Sequence, residues 1–204
     1  SVFLDRLFNI KPETSDRIAI NFPLNAVLTK ENVANHPLKR FKEYANAQGL
    51  KIYFLDNHPM DINPYVLELC DGTTHDKKVM KIVATEGFGA SSEHNKKFQD
   101  VWMDYQSLPA RFNGYRFAFG ARLHSFLPFM AFNTPTVFLS PNEIRRPMGI
   151  EYFQHAAFSA AVPWSNAQGQ QTVASMIDRL NYFIAHEDRL RAHIQEQKER
   201  LWAI

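Results

Sequence analysis

An α/β domain, built as a parallel sheet with helices on both faces, is predicted for this chain by three observations. Short β-rich runs at 17–22, 50–55, 115–119 and 136–139 alternate with segments of helical periodicity. Polar loops follow the early strands, where a parallel sheet presents its carboxyl edge. The stretch 115–140, YRFAFGARLHSFLPFMAFNTPTVFLS, reads by itself as strand, turn, apolar helix, turn and strand.

Taken in order, residues 1–15 carry Leu4, Leu7 and Phe8 at the spacing of a short helix, ended by Lys11, Pro12 and Glu13. RIAINF at 17–22 reads as a buried strand. A helix follows over 37–49, with Pro37 at its start, Leu38, Phe41, Tyr44 and Ala45 on one face and Gly49 as its stop. LKIYFL at 50–55 is the second strand, so a right-handed parallel crossover is expected this early. The loop 56–64 leads to a short helix at 65–69, then to a strand at 78–84 and a glycine-bearing loop at 85–92. A helix over 93–108 would lay Phe98, Val101, Trp102 and Tyr105 on the sheet and end at Pro109. Past 140 the sequence predicts a loop with two adjacent arginines at 141–147, one or two helical turns at 148–154, and a last strand at 156–162. From 172 to the end runs one long helical pattern. Its first half has a broad apolar stripe for the sheet, while its charged second half is expected to extend over another domain or subunit. The sum is a Rossmann-like three-layer fold in a single domain, 1–204, with residues 1–15 as a helix or linker and 172–204 as a terminal helix.

Composition narrows the function. A chain of 204 residues buries roughly 70% of its unfolded surface without staples. Its net charge of +2 carries no general polyanion signal, so no nucleic-acid partner is expected. One cysteine, Cys70, excludes an internal disulfide framework and fits a reducing compartment. No apolar run approaches the ~20 residues of a membrane span, so a cytoplasmic location is expected, free or peripheral to the membrane. The first residue is Ser1 rather than Met, which suggests a processed start or a piece of a longer protein.

Chemistry concentrates at Arg122 and His124. A strand-to-helix turn exposes backbone N–H groups and the positive end of a helix dipole, so it attracts anions. Arginine adds a planar fork for carboxylate or phosphate, and histidine two residues later exchanges protons near neutral pH. Equally, Arg122 could pair with a neighbouring carboxylate and His124 could be a hydrogen-bonded residue at a helix start. Arg145 and Arg146 follow the next strand onto the same sheet edge, as a second cationic contact or as a solvated surface pair. The loop 86–94 (EGFGASSEH) could cradle a phosphate but matches no Walker or dinucleotide pattern, and an ordinary loop before a capped helix is the better reading. His36, His58, His75, His94, His155, His186 and His193 show no paired ligand spacing, so no metal is expected; His186 and His193 are expected to be solvated.

GARLHS at 120–125, between an aromatic strand and an apolar helix that leads through Pro135 into TVFLS, resembles the C-terminal signature of the polysaccharide pyruvyl transferases. The resemblance implies one Rossmann-like half of a GT-B-like fold, the C-terminal half of a longer two-domain protein. It implies transfer of the enolpyruvyl unit of phosphoenolpyruvate to a sugar hydroxyl, with release of phosphate and no cofactor. Arg122 would then bind the phosphoenolpyruvate anion, Leu123 and Ser125 would contact the same ligand, and His124 would be the general acid. In that family a basic residue follows the post-proline strand; here Asn142 and Glu143 come first, then Arg145 and Arg146. The partners implied are the sugar acceptor and an N-terminal half-domain or second subunit across a cleft. A sugar-nucleotide glycosyltransferase half and a non-catalytic sugar- or anion-binding domain are the alternative readings.

Overall fold

The computed structural model of the protein describes residues 3–21, 28–55, 65–73, 108–121, 123–140, 153–161 and 169–203, with backbone alone at 108, 123–125, 140 and 161. In chain order the elements are α1 (Leu4–Leu7), β1 (Arg17–Asn21), a 3₁₀ turn (Val33–Asn35), α2 (Leu38–Ala47), β2 (Lys51–Phe54), α3 (Val66–Leu69), β3 (Gly72–Thr73), α4 (Leu108–Phe112), β4 (Phe117–Gly120), α5 (Leu123–Ala131), β5 (Thr136–Ser140), a second 3₁₀ turn (Ala156–Phe158), β6 (Ser159–Ala161), α6 (Gly169–Ala185) and α7 (Glu187–Trp202).

The six strands form one parallel sheet in the order β3-β2-β1-β4-β5-β6. From β1 the chain steps outward to β3, returns past β1 to β4, and steps outward the other way. This is the doubly wound, Rossmann-like order. Central strands of such a sheet are covered on both faces, and β1 and β4 are buried almost throughout, as their apolar composition requires.

Alternation along each strand sorts the side chains into two layers. Ile18, Ile20, Phe117 and Phe119 belong to one core, Ala19 and Ala118 to the other. The large residues meet α2 and α6: the Phe41 and Phe119 rings are 5.2 Å apart, and Phe117 and Phe183 are 5.6 Å apart. On the far face the two alanines admit Phe129 and Ala131 of α5 and Phe132 just past its end, joined by Phe112 and Tyr115. Helices therefore cover both faces, with α2 after β1 on one and α5 after β4 on the other.

Helix ends follow local chemistry. Gly49, at φ 72°, closes α2 through Leu50 N–H to Ala45 O and Gly49 N–H to Asn46 O, as its stop position predicts. Asn133, at φ 57°, closes α5 by the same pair of bonds, from Thr134 to Phe129 and from Asn133 to Met130.

Several expectations are corrected. β3 follows α3 after only two residues, at a position where no strand was expected; the strand expected at 78–84 and most of the 93–108 helix lie outside the described residues. Pro109 does not end a helix. It sits inside the first turn of α4, where a missing N–H costs nothing. The last strand is shorter than predicted, because a 3₁₀ turn occupies 156–158. The long C-terminal pattern is helical to Trp202 but breaks at His186, whose φ of −130° leaves the helical region. Its second half packs on its own chain, where α7 buries Leu190, Ile194 and Lys198.

Candidate functional site

α2 and α5 leave β1 and β4 toward opposite faces, so the carboxyl ends of these two adjacent strands are the switch point at which open sheets of this order place a ligand crevice. Asn21 and Gly120 are register partners there. The backbone N–H of Ala121 donates to Asn21 O at 3.0 Å, and Leu55 N–H donates to Ile20 O at 2.9 Å. Asn21 is fully buried, and its side-chain amide donates to Leu55 O at 2.6 Å. One side chain thus ties β1 to the end of β2, while its carbonyl holds the start of the turn after β4.

Only residues 121 and 122 separate β4 from α5. The predicted strand-turn-helix at GARLHS is therefore present, and it lies at the topological switch point. Arg122 itself lies outside the described residues. Leu123, His124 and Ser125 form the first turn of α5, described by backbone alone. A helix start exposes N–H groups toward the crevice edge, where a carboxylate or phosphate oxygen accepts them. Pro128 lies inside α5 and has no N–H, so the carbonyl of His124 lacks the donor that the helix would supply four residues on.

β5 ends at Ser140 on this same edge, which is where the chain enters the segment holding Arg145 and Arg146. Both arginines lie outside the described residues, as do the 86–94 loop and His58, His75 and His94.

Among the described residues, no group of three or more His, Cys, Asp and Glu is arranged to hold a metal ion. No described helix is long and apolar enough to cross a membrane. Cys70 is buried, and burial first, then the Asp71 carboxylate, pushes its thiol up to about 12 against the opposing pull of Lys42, so it is no nucleophile at neutral pH. His36 sits where α2 begins, its Nδ1 accepting the N–H of Leu38 at 3.3 Å, and burial holds its pKa below the ordinary value. Beside it a groove of about 410 Å³ runs from Glu31 to Gln170 at the start of α6.

Cations at the opposite, amino edge of the sheet are engaged structurally. The Arg17 guanidinium lies over the Tyr115 and Tyr53 rings, and Arg116 and Arg191 share Glu187. His193, expected in solvent, lies instead with its Nε2 2.6 Å from the Phe153 carbonyl oxygen. Asn21 is the site residue the sequence reading passes over. Its signal was a single amide in an otherwise apolar strand, RIAIN, where a buried amide needs a specific partner.

No protein-family model, no curated protein and no solved structure matches the chain.

Proposed function

We propose that the protein is a pyruvyl transferase, moving the enolpyruvyl group of phosphoenolpyruvate onto a sugar hydroxyl of a polysaccharide or its precursor. What supports the reading is the position of the Gly120–Leu123 turn: it ends β4 at the switch point and opens α5, where backbone N–H groups and the helix dipole favour an anion. Arg122 grips the carboxylate or phosphate with two parallel hydrogen bonds, and Arg145 and Arg146 add charge from the next crossover. Leu123 and Ser125 contact the same ligand.

His124 is the acid. It gives a proton to the methylene carbon, leaving an oxocarbenium-like centre at the carbon that bears the phosphate. One sugar hydroxyl adds there and phosphate departs; a second hydroxyl closes the ketal. The two hydroxyl protons replace the one spent on carbon and leave one with phosphate. No cofactor enters. The acceptor approaches from the other wall of the cleft, contributed by a second Rossmann-like half in the same polypeptide or another subunit. The setting is the cytoplasm or the membrane's cytoplasmic surface.

The expected result is that the protein, supplied with acceptor, consumes phosphoenolpyruvate and releases phosphate, and that His124→Ala reduces release at least about a hundredfold. Turnover by that variant at the parental rate would remove His124 from the mechanism. Binding of a nucleoside diphosphate-sugar with no response to phosphoenolpyruvate would favour glycosyl transfer, since helix starts at this edge suit diphosphates equally. Ligand binding without turnover would leave a sugar- or anion-binding domain.

A further inference from the structure

His155, His186 and His193 converge where α7 turns away from α6. His155 precedes the second 3₁₀ turn, and its Nδ1 accepts the backbone N–H of Ala157 at 3.2 Å. A ring nitrogen that accepts carries no proton, so this bond exists only while the imidazole is neutral. His193 is different. The Phe153 carbonyl can only accept, so His193 Nε2 is the donor. The two rings stand 5.4 Å apart, and that of His155 also packs on Phe158 at 5.2 Å and Tyr182 at 6.2 Å.

Among the described residues, the charges that act on His155 have one sign. Arg179 reaches it from α6, Arg189 and His193 from α7, and His186 from the junction. The segment it holds is not peripheral. Rings run in a column from Phe126 of α5 to Phe153, Phe158 and Phe183 of α6, at spacings of 6.0, 6.3 and 6.2 Å, and β6 follows directly.

We propose that His155 is an acid-operated catch: neutral, it caps the turn that leads into β6; protonated, it uncaps that turn and is repelled from the α6–α7 junction by the surrounding cations. Burial first, then His193, Arg189, Arg179 and His186, hold the folded-state pKa of His155 below its ordinary value. The unfolded or opened chain therefore binds the proton better. The stabilising contribution is complete above about pH 6.5 and is lost as pH falls from there through the folded-state value.

The test is amide exchange at Ala157 and Phe158, corrected for intrinsic rates, from pH 7.5 to pH 5, on the parental chain and on His155→Asn. The asparagine oxygen still accepts the Ala157 N–H but does not titrate in this range. Parental protection should fall with acid, by at most about tenfold per pH unit for one proton, while the variant stays level. His36, also held low by burial, remains in both and cancels. Equal acid loss in the variant would overturn the proposal. So would an imidazole titration of His155 in the parental chain, read by NMR without any variant, at or above pH 6.5.

Discussion

An ammonium group with no exposed surface lies under the last turn of α5. Lys198 Nζ donates to Asp5 Oδ2 and Ala131 O at 2.5 Å each, and to Asn133 Oδ1 at 3.1 Å, so all three of its hydrogens are used. Two of those acceptors belong to the end of α5, where orphan carbonyls and the negative end of the dipole favour a cation. Desolvation nonetheless lowers its pKa, against the raising effect of Asp5. The pair is therefore costly to split and cheap to replace. Lys198→Met should destabilise the fold by about 3 kcal/mol in urea titrations, because it strands the Asp5 carboxylate, whose Oδ1 already lacks a partner. Adding Asp5→Asn should recover much of that loss. Simple additivity of the two substitutions would show that the ion pair is not the cause. At this scale the sequence was legible where one residue decides its own geometry, as at Gly49. Lys198 was not legible, since its partners lie 193, 67 and 65 positions away.

Among elements, α7 departs furthest from its sequence pattern. Its charges read as a solvated or intermolecular face, yet they are spent on this chain. Arg191 donates to Asn133 O and Arg116 O at 2.9 Å, to Thr14 Oγ1 at 3.0 Å and to Glu187 Oε1 at 3.1 Å; Glu187 also accepts from Arg116 at 2.8 Å. Farther along, Arg6 pairs with Glu199 and its guanidinium covers the Trp202 ring. The helix thus runs along the amino edge of the sheet from the α2–α6 core, where Leu190 and Ile194 are buried, to α1 and α5. Backbone carbonyls at strand starts and helix ends are what it satisfies, and no sequence period encodes a carbonyl. Arg191→Ala should cost about 2 kcal/mol, measured by the denaturation midpoint, since the Asn133 and Arg116 carbonyls lose a charged donor. Arg191→Lys should restore only part, because an ammonium cannot span the fork. Full recovery by lysine would reduce the contact to charge alone. The break at His186 was likewise hidden: the apolar stripe thins after it but keeps helical spacing through Leu190 and Ile194, and only the bend that carries α7 beneath the edge requires the break.

Across the whole molecule, the order β3-β2-β1-β4-β5-β6 puts the GARLHS turn beside Asn21. Asn21→Asp tests that junction. The carboxylate has the same shape but cannot donate to Leu55 O, and burial raises its pKa when folded. A raised folded-state pKa means stability is retained at low pH and lost as pH rises past the ordinary carboxyl range. The variant should therefore lie further below the parental chain in stability at pH 7 than at pH 5. An equal deficit at both values would show that Asn21 is not held by its donated bond. Alternating β-rich and helical runs determined by themselves the fold class, most strands, the crossover at 115–140 and the turn that carries Arg122 and His124, because these follow from period and turn chemistry within some 30 residues. Only tertiary structure decided the two-residue strand β3, too short for any period, and the fold-back of α7. It also decided the contact of Asn21 with the end of β2 and the gathering of His155, His186 and His193. Each of those depends on groups brought together from distant parts of the chain, where burial and hydrogen-bond satisfaction, not local propensity, choose the partner.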